Sequence, residues 1–475
     1  MSAGAVVFFA VIICWAFLTS GCAHKRAMPG FNSSQLPPLS ESGTDFTPQR
    51  WWITFNDAGL DQQINMALGE NFDLAAALYR LRAAQAVTRR EASDLFPDLN
   101  GLLRDQNTFG PGPDQTRLTW GLDAAYQVDL WGQIRARVDA ERFRAGATRA
   151  DYHTVALALS AEIARTWYAL IEGYAQLDLL EQQFATNSDG LKLVEARYGN
   201  NLGGEGGGPN VLRQRQLIES TREQQVVVAA SIEVLEHQLA VLTGQPPQSA
   251  KYQPGNMLPA LPPLPYTGLP SELINRRPDV RSAFLELVAA DRDAAVAVAS
   301  QYPRLDLTGS LVNSADRPSD FFQDWFVSIG GQLLGPILDG GQRRAEVART
   351  NAVVCQRFAE YRQTVLIALQ EVEDGLALER RQLERIEKLE IQAKWARSAA
   401  DQLLQYFVNA ETDYLDVLSA NQSEQRVQRS LISARLDLIL IRIGLYLALA
   451  GDFDTRPIPA GEEILPLPIE PIAPA

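Results

Sequence analysis

The stretch TRLTWGLDAAYQVDLWGQ, Thr116–Gln133, decides the reading of this chain. It begins as a strand. Leu118, Trp120, Leu122, Ala124, Tyr126 and Val128 share one face, and Thr119, Gly121, Asp123, Gln127 and Asp129 the other. Such period-2 alternation sets an apolar surface against a polar one. After Trp131-Gly132 the pattern changes without a long loop. Ile134 to Tyr198 contains no proline, and only Gly146, Gly173 and Gly190 interrupt its helical character weakly. A helix of that length spans roughly 100 Å at ~1.5 Å per residue, more than one globular domain usually holds.

A second copy of this junction lies near Phe326–Gln342, and the chain repeats around the pair. Phe96-Pro97-x-Leu99 is echoed by Tyr302-Pro303-x-Leu305. The strand pattern at Leu99–Arg104 returns at Leu305–Leu311, and that of Thr116–Val128 at Trp325–Leu333. Asp129-x-x-Gly132-Gln133 returns as Asp339-Gly-Gly-Gln342, and Val241-Leu-Thr-Gly244 as Leu449-Ala-Gly451. A period this long is a duplication and not a solenoid. Residues 51–244 form repeat 1: a helix, two strands, a long helix and a return helix. Residues 271–453 form repeat 2 in the same order. The helical stretches before the strands are predicted from Leu60 to about Ser93 and from Leu273 to Ser300. Residues 245–270 are a proline-rich connector, and residues 454–475 a Pro-rich tail expected to be extended and unpacked.

Each half supplies two strands of about ten residues, enough to cross a bilayer when tilted. Four strands cannot close a barrel, and open edges are not tolerated in lipid. Spanning strands would therefore have to be pooled, and three chains would give twelve. Hairpins packed on an ordinary helical core remain the alternative at this point.

The chain of 475 residues carries 43 Lys+Arg and 57 Asp+Glu, a net charge of −14. That balance argues against nucleic acid as a partner. His24, His153 and His237 lack metal-ligand spacing, so neither a metal nor another cofactor is expected. The glycine run at Gly203–Gly208 lacks a Walker lysine and follows a helix, which speaks against a phosphate loop. No catalytic pattern stands out, and an enzyme is not expected.

Residues 1–21 read as a signal peptide. The apolar run Val6–Leu18 is short for a transmembrane helix. It ends in Leu18-Thr19-Ser20-Gly21-Cys22, which resembles the lipobox of bacterial lipoproteins, although Met1–Ala5 carries no Lys or Arg. The resemblance implies a lipid, such as palmitate, on Cys22. It also implies outer-membrane sorting through Ala23, with residues 22–50 as an extended tether. With Cys14 removed and Cys22 acylated, Cys355 stands alone and no intrachain disulfide is available.

The ordered motifs carry a wider resemblance, covering about Trp51–Gly451. They are Trp51-Trp52-x-x-Phe55, then Asn71-x-Asp73-Leu74, then Leu269 through Arg276-Arg277-Pro278-Asp279-Val280. Tyr302-Pro303, Asp339-Gly-Gly, Glu371-Val-Glu-Asp374 and Tyr414-Leu-Asp-Val-Leu418 complete the set. The chain is similar to the TolC-like outer membrane factors, in particular their NodT/OprM-type lipoprotein branch. The resemblance implies a mainly α fold with a transmembrane β portion. It implies a homotrimer in the outer-membrane lipid, whose twelve-stranded β-barrel continues as a twelve-helix periplasmic α-barrel. An equatorial belt would include the connector. Its partners would be a periplasmic adaptor and an inner-membrane pump, proton-driven in preference to ATP-driven, and its cargo small molecules, whether drugs, toxic compounds or metal ions. A channel for type I protein secretion and a structural coiled-coil lipoprotein are the alternatives.

The resemblance also places acidic residues at the second helix-to-helix turn. Glu411, Asp413 and Asp416 are the candidates for a periplasmic entrance, where three copies would bring like charges together. Helix capping is the plainer account of such turn acids. Phe407 stands where the family usually has tyrosine, and Ala410 where it has glycine. Arg276, Arg277, Pro278 and Asp279 are the family signature. Proline in a first turn and aspartate at the positive end of the dipole explain the latter two structurally.

Overall fold

A computed structural model describes residues 37–44, 48–109, 111, 115–199, 207–248, 252, 254–315, 323–451, 453 and 455. The described residues from Pro38 onward belong to one compact unit. A short 3-10 helix, Trp51–Phe55, precedes α1 (Ala58–Glu70) and α2 (Phe72–Ser93). Strands β1 (Asp98–Thr108) and β2 (Gln115–Val128) follow, then the long α3 (Gln133–Gly199) and its return helix α4 (Gly207–Leu242). The second half restarts with α5 (Pro270–Arg276) and α6 (Pro278–Ala299). It continues with β3 (Arg304–Ala315), β4 (Trp325–Leu334), α7 (Gln342–Val408) and α8 (Tyr414–Leu449).

The duplication is metrical. Helices α3 and α7 both have 67 residues, α4 and α8 both have 36, and α2 and α6 both have 22. The first helical stretch of each half is not continuous, contrary to the sequence expectation. It breaks at Asn71 and at Arg277, with φ/ψ of −70/127° and −70/126°. Arg277 precedes Pro278, whose ring excludes the α region for its neighbour. Asn71 leaves the helix so that its side chain accepts the Leu74 amide as the cap of α2.

The four strands form one antiparallel sheet in the order β1-β2-β3-β4, so the two hairpins join through β2 and β3. The substantial packing of the sheet is strand on strand, which removes the alternative of hairpins laid on a helical core. Nearest the sheet, the helices lie side by side as α2-α3-α6-α7; farther away the order is α4-α3-α8-α7. The lateral sequence is thus the same in every layer. One edge carries α2, β1 and α4, and the other carries β4 and the full length of α7.

The largest core sits where the two helical layers meet. Trp51 and Trp52 are buried there with Phe55, Tyr168, Tyr446 and Phe453. Trp51 stacks on Tyr446 at 5.7 Å and donates its indole N–H to Ser160, while Trp167 donates to Asp57, the cap of α1. The start of the C-terminal segment is packed here too: Tyr152 donates to Thr455, which is buried. The expectation of an unpacked tail from its first residue is corrected on this point.

Candidate functional site

The ladder register sorts the strand residues into two faces. Residues directly opposite in an antiparallel pair project to the same side. Leu99, Ala124, Gly309 and Ile329 therefore share a row, as do Gly101, Leu122, Leu311 and Val327. Tyr126, Leu307 and Gly331 make another, and Val128, Leu305 and Leu333 the next. This face is apolar across all four strands, and Leu99, Leu103, Leu122, Val327 and Ile329 are exposed on it. The opposite face carries Asn100, Arg104, Thr119, Asp123, Gln127, Asp306, Ser310, Ser328 and Gln332. Strand lengths of 10 to 14 residues meet the 9–11 that a tilted strand needs to cross a bilayer.

Aromatic pairs mark both ends of the apolar face. At the hairpin end Trp120 and Trp325 meet edge to face at 4.8 Å, at the level of Asn313, which is fully buried between their strands. At the helix end Trp131 stacks on Tyr302 at 4.9 Å and donates to the Pro303 carbonyl at 2.7 Å. Tryptophan and tyrosine favour the two membrane–water interfaces.

The strand-to-helix switch is built twice with the same parts. The Asp129 carboxylate accepts the amides of Ile134 and Arg135 at 3.0 Å each, in the first turn of α3. Asp339 accepts those of Gly341 and Arg343 at the start of α7. These two amides hold the Asp339 carboxyl below the usual carboxylate range. Gly132 has φ 72°, and Gly340 and Gly341 have φ 61° and 90°, a region open to glycine at little cost.

At the far end, the turn between α7 and α8 ends α7 by a Schellman motif. The Glu411 amide donates to the Tyr406 carbonyl at 2.8 Å and the Ala410 amide to Phe407 at 3.0 Å. Ala410 occupies the left-handed position with φ 66°. Of the three acidic candidates, Asp413 caps α8 by accepting the Tyr414 amide, and Asn210 from the first repeat reaches it at 3.5 Å. Asp416 accepts from Thr412 at 2.6 Å and lies on the rim of an open groove of about 330 Å³ between α7 and α8. Glu411 is exposed in the turn. All three acids sit in or within one turn of the α7–α8 turn, and Arg197 of α3 lies at the same end of the chain. That arginine donates to the Phe407 carbonyl and lies 4.2 Å over its ring. Phe407 is buried against Tyr414, whose hydroxyl donates to Gln214 at 2.6 Å. The two repeats are therefore tied at the tip through Phe407, without a tyrosine at that position.

The signature residues lie elsewhere, at the break between α5 and α6. Arg277 is buried, pairs with both carboxylate oxygens of Asp279, reaches Glu371 at 2.6 Å and donates to the Ala448 carbonyl at 3.2 Å. Burial works to lower its pKa, but the Asp279 and Glu371 carboxylates outweigh it and raise the value. Arg276 donates to the Leu449 carbonyl, and burial depresses its pKa against the charge of Glu272. The pair thus caps the last carbonyls of α8, with Pro278 opening α6. Cys22, residues 1–21 and the glycines of the first turn before Gly207 lie outside the described residues.

Two stretches of this chain, residues 63–245 and 269–451, match the model of one protein family, described as outer membrane efflux protein. These stretches coincide with the two repeats. The chain belongs to the outer membrane efflux protein family. Among its relatives is the pyoverdine export outer membrane protein OpmQ of Pseudomonas aeruginosa, 29% identical over 86% of this chain and 88% of the relative. Another is the solvent efflux pump outer membrane protein SrpC of Pseudomonas putida, 28% identical over 84% of this chain and 86% of the relative. The outer-membrane channel OprN superposes with a TM-score of 0.81 at 27% identity, covering 91% of this chain and 98% of the other. The outer membrane protein VceC of Vibrio cholerae does so with 0.80 at 25%, covering 86% and 100%. The TolC-like fold, the outer-membrane location and the efflux role follow.

Two features of this outer membrane efflux protein escaped sequence reasoning. The first is a buried ion pair. Arg442 of α8 meets both oxygens of Glu379 of α7 at 2.7 and 2.5 Å and donates to the carbonyls of Pro262 and Pro263 at 2.6 and 2.7 Å. Burial lowers the Arg442 pKa and the hydrogen bonds and charge of Glu379 raise it further, so the group stays charged. The signal was present: counted from the starts of the matching helices, repeat 1 has Leu170 and Leu235 at these positions. The second is the seam between α3 and α8, which is polar. Arg429 donates to Gln183 at 2.6 Å and Gln425 to Asn187 at 2.8 Å, while Asn187 continues the ladder to Thr221 of α4 at 3.1 Å. Helical periodicity marks buried faces by their apolar residues, so a buried carboxamide ladder gives no such mark.

Proposed function

We propose that three copies of this chain close a twelve-stranded barrel in the outer membrane and a twelve-helix tunnel below it, forming a passive exit duct. The observation that carries this reading is the shared lateral order of every layer. β1 and β4 are unpaired edges, which lipid does not tolerate. The edge that bears β4 also bears α7, where Leu378, Leu383, Ile391 and Trp395 are exposed. The opposite edge bears α2 and α4, with Phe72, Tyr79, Leu212, Val226, Val227 and Val234 exposed. One heterologous contact, repeated by rotation, covers all of these surfaces and closes if the rotation is a third of a turn. Helix α4 is long and apolar enough to cross a membrane by composition, but it packs lengthwise on α3, and its free face suits the neighbouring copy.

Relatives are described as exporting pyoverdine, solvents and toluene. Small organic molecules are accordingly the cargo class, delivered by a periplasmic adaptor and a proton-driven inner-membrane pump. The Cys22 lipid would add an anchor to the barrel. Asp413, Asp416 and Glu411, tripled about the axis, would hold the entrance closed by binding cations between the copies, which offsets their mutual repulsion. Reconstitution in planar bilayers tests the duct: Asp413→Asn with Asp416→Asn should raise the open fraction, and a purified trimer that never conducts in either form would refute it. Cysteines at Ile329 and Gly101, on β4 and β1, provide the assembly test, through disulfide-linked species no larger than three chains.

A further inference from the structure

The inward face of the sheet is polar at every complete level but one. The row Asn100, Asp123, Ser310 and Ser328 is polar throughout. One step toward the hairpin ends stands the row Leu102, Gly121, Val312 and Phe326, which holds no polar side chain. The next step returns to Arg104, Thr119 and Ser314, the last two 3.1 Å apart through their hydroxyls. Gly121 is buried, and a Cβ there would stand 2.1 Å from the Leu311 carbonyl oxygen. No side chain fits at that point, and its row neighbours Leu102 and Val312 are half-buried on either side. Phe326 is 60% exposed on the same level.

An exposed apolar residue standing alone is ordinary. Three at one register level on four strands, flanked by polar levels on both sides, are not what strand alternation alone produces. We propose that Leu102, Val312 and Phe326 form an apolar band that slants across the inner wall with the strand tilt, and that the three copies of this band together make an apolar ring inside the barrel, a specificity-determining zone at which passing cargo is sorted by its apolar surface. The ring rests on the reading that three copies close the barrel with the polar face inward. A ring of apolar side chains in a water-filled pore raises the barrier for hydrated ions, as hydrophobic constrictions do. It lowers that barrier for a molecule able to bury apolar surface against it. Amphipathic small organic molecules, whose polar parts meet Asn100, Asp123 and Ser310 below and Arg104 above, fit this sequence of levels.

The test is single-channel recording of the trimer carrying Asp413→Asn and Asp416→Asn, so that the periplasmic end does not limit current. Phe326→Ser should raise potassium chloride conductance and weaken block by tetrapentylammonium about tenfold, the order that a few methylenes of contact supply. Val312→Thr should move both readings the same way by less. Val327→Ala, on the opposite face, should move neither. If Phe326→Ser fails to assemble, Val312→Thr still gives the two readings, and Phe326→Leu, which keeps the position apolar, should leave both close to the wild type. Pores whose conductance and block are indifferent to positions 312 and 326 would overturn the ring and leave the barrel standing. Absence of pores in every form would overturn the barrel itself.

Discussion

The two halves of the chain share their geometry and differ in their chemistry. Helix α2 is entered through Asn71 and α6 through Arg277, with backbone angles that agree to a degree. Both residues also hold the end of the return helix of their own repeat. Asn71 donates to the Leu242 carbonyl at 2.9 Å, while Arg277 and Arg276 donate to those of Ala448 and Leu449. A neutral carboxamide does in repeat 1 what two guanidiniums do in repeat 2. The same holds deeper in the bundle, where Leu170 and Leu235 of repeat 1 correspond to Glu379 and Arg442 of repeat 2. The backbone solution is inherited from the duplication. Charge occurs where a position must hold something more: Glu371 of α7 in one case, the connector at Pro262 and Pro263 in the other.

The comparison breaks most sharply at Arg442. Arg442→Leu strands the Glu379 carboxylate and two proline carbonyls without their donor, and removing one partner of a buried pair costs about 3–5 kcal/mol. Unfolding in denaturant with the protein in detergent would show it. Glu379→Leu added to that variant copies repeat 1, and it should recover most of the loss, since well-packed leucines replace buried ion pairs at little cost. The recovered protein should still differ from the wild type in one respect: the connector near Pro262 should be cut sooner by added protease. A double variant as unstable as the single one would show that the leucine solution of repeat 1 does not transfer. A connector as resistant as before would show that the pair serves the helices alone.

At the helix breaks the two repeats should separate by less. Arg277→Ala removes charge-assisted bonds to Asp279 and Glu371 along with the Ala448 bond, a loss of about 2–3 kcal/mol. Asn71→Ala removes a helix cap and one carbonyl bond, about 1–2 kcal/mol. Equal losses in the same unfolding assay would mean that the charges of the signature add nothing to the capping it shares with Asn71.

Much of this architecture was legible in the sequence because it is periodic. The strands Gln115–Val128 and Trp325–Leu334 and the switches after Asp129 and Asp339 lie where alternation and glycine placed them. The breaks at Asn71 and Arg277 were not read, because apolar periodicity runs through them and only the caps interrupt the backbone. Pro278 is the available signal: it reads as the first turn of a helix, as the structure has it, although the apolar pattern carries the helical stretch through it from Leu273. The tip acids stand out by resemblance and helix capping is their plainer account, which Asp413 fulfils; the Thr412–Asp416 contact is not legible, since it depends on the closure of the turn. The polar seam and the Glu379–Arg442 pair were illegible by hydropathy, which scores a satisfied buried polar group as a surface one.

The smallest expected effect concerns the tip, where the two helix-to-helix turns differ most in composition. The first passes through the glycine run at Gly203–Gly208 in the sequence, and the second makes a tight Schellman turn with alanine in the left-handed position. An L-residue with a Cβ costs about 1 kcal/mol there, whereas glycine does not. Ala410→Gly should therefore stabilise the folded chain by somewhat under that amount, because glycine also gives the unfolded chain more freedom. The Tyr406 and Phe407 carbonyls should keep their donors, so amide exchange at Ala410 and Glu411 should slow or stay the same. The turn also carries Asp413 and Asp416, so the open fraction of the channel gives a second reading. A stabilised turn with an unchanged open fraction would locate gating in the acids. A shift in both would mean that the alanine keeps the turn ready to rearrange.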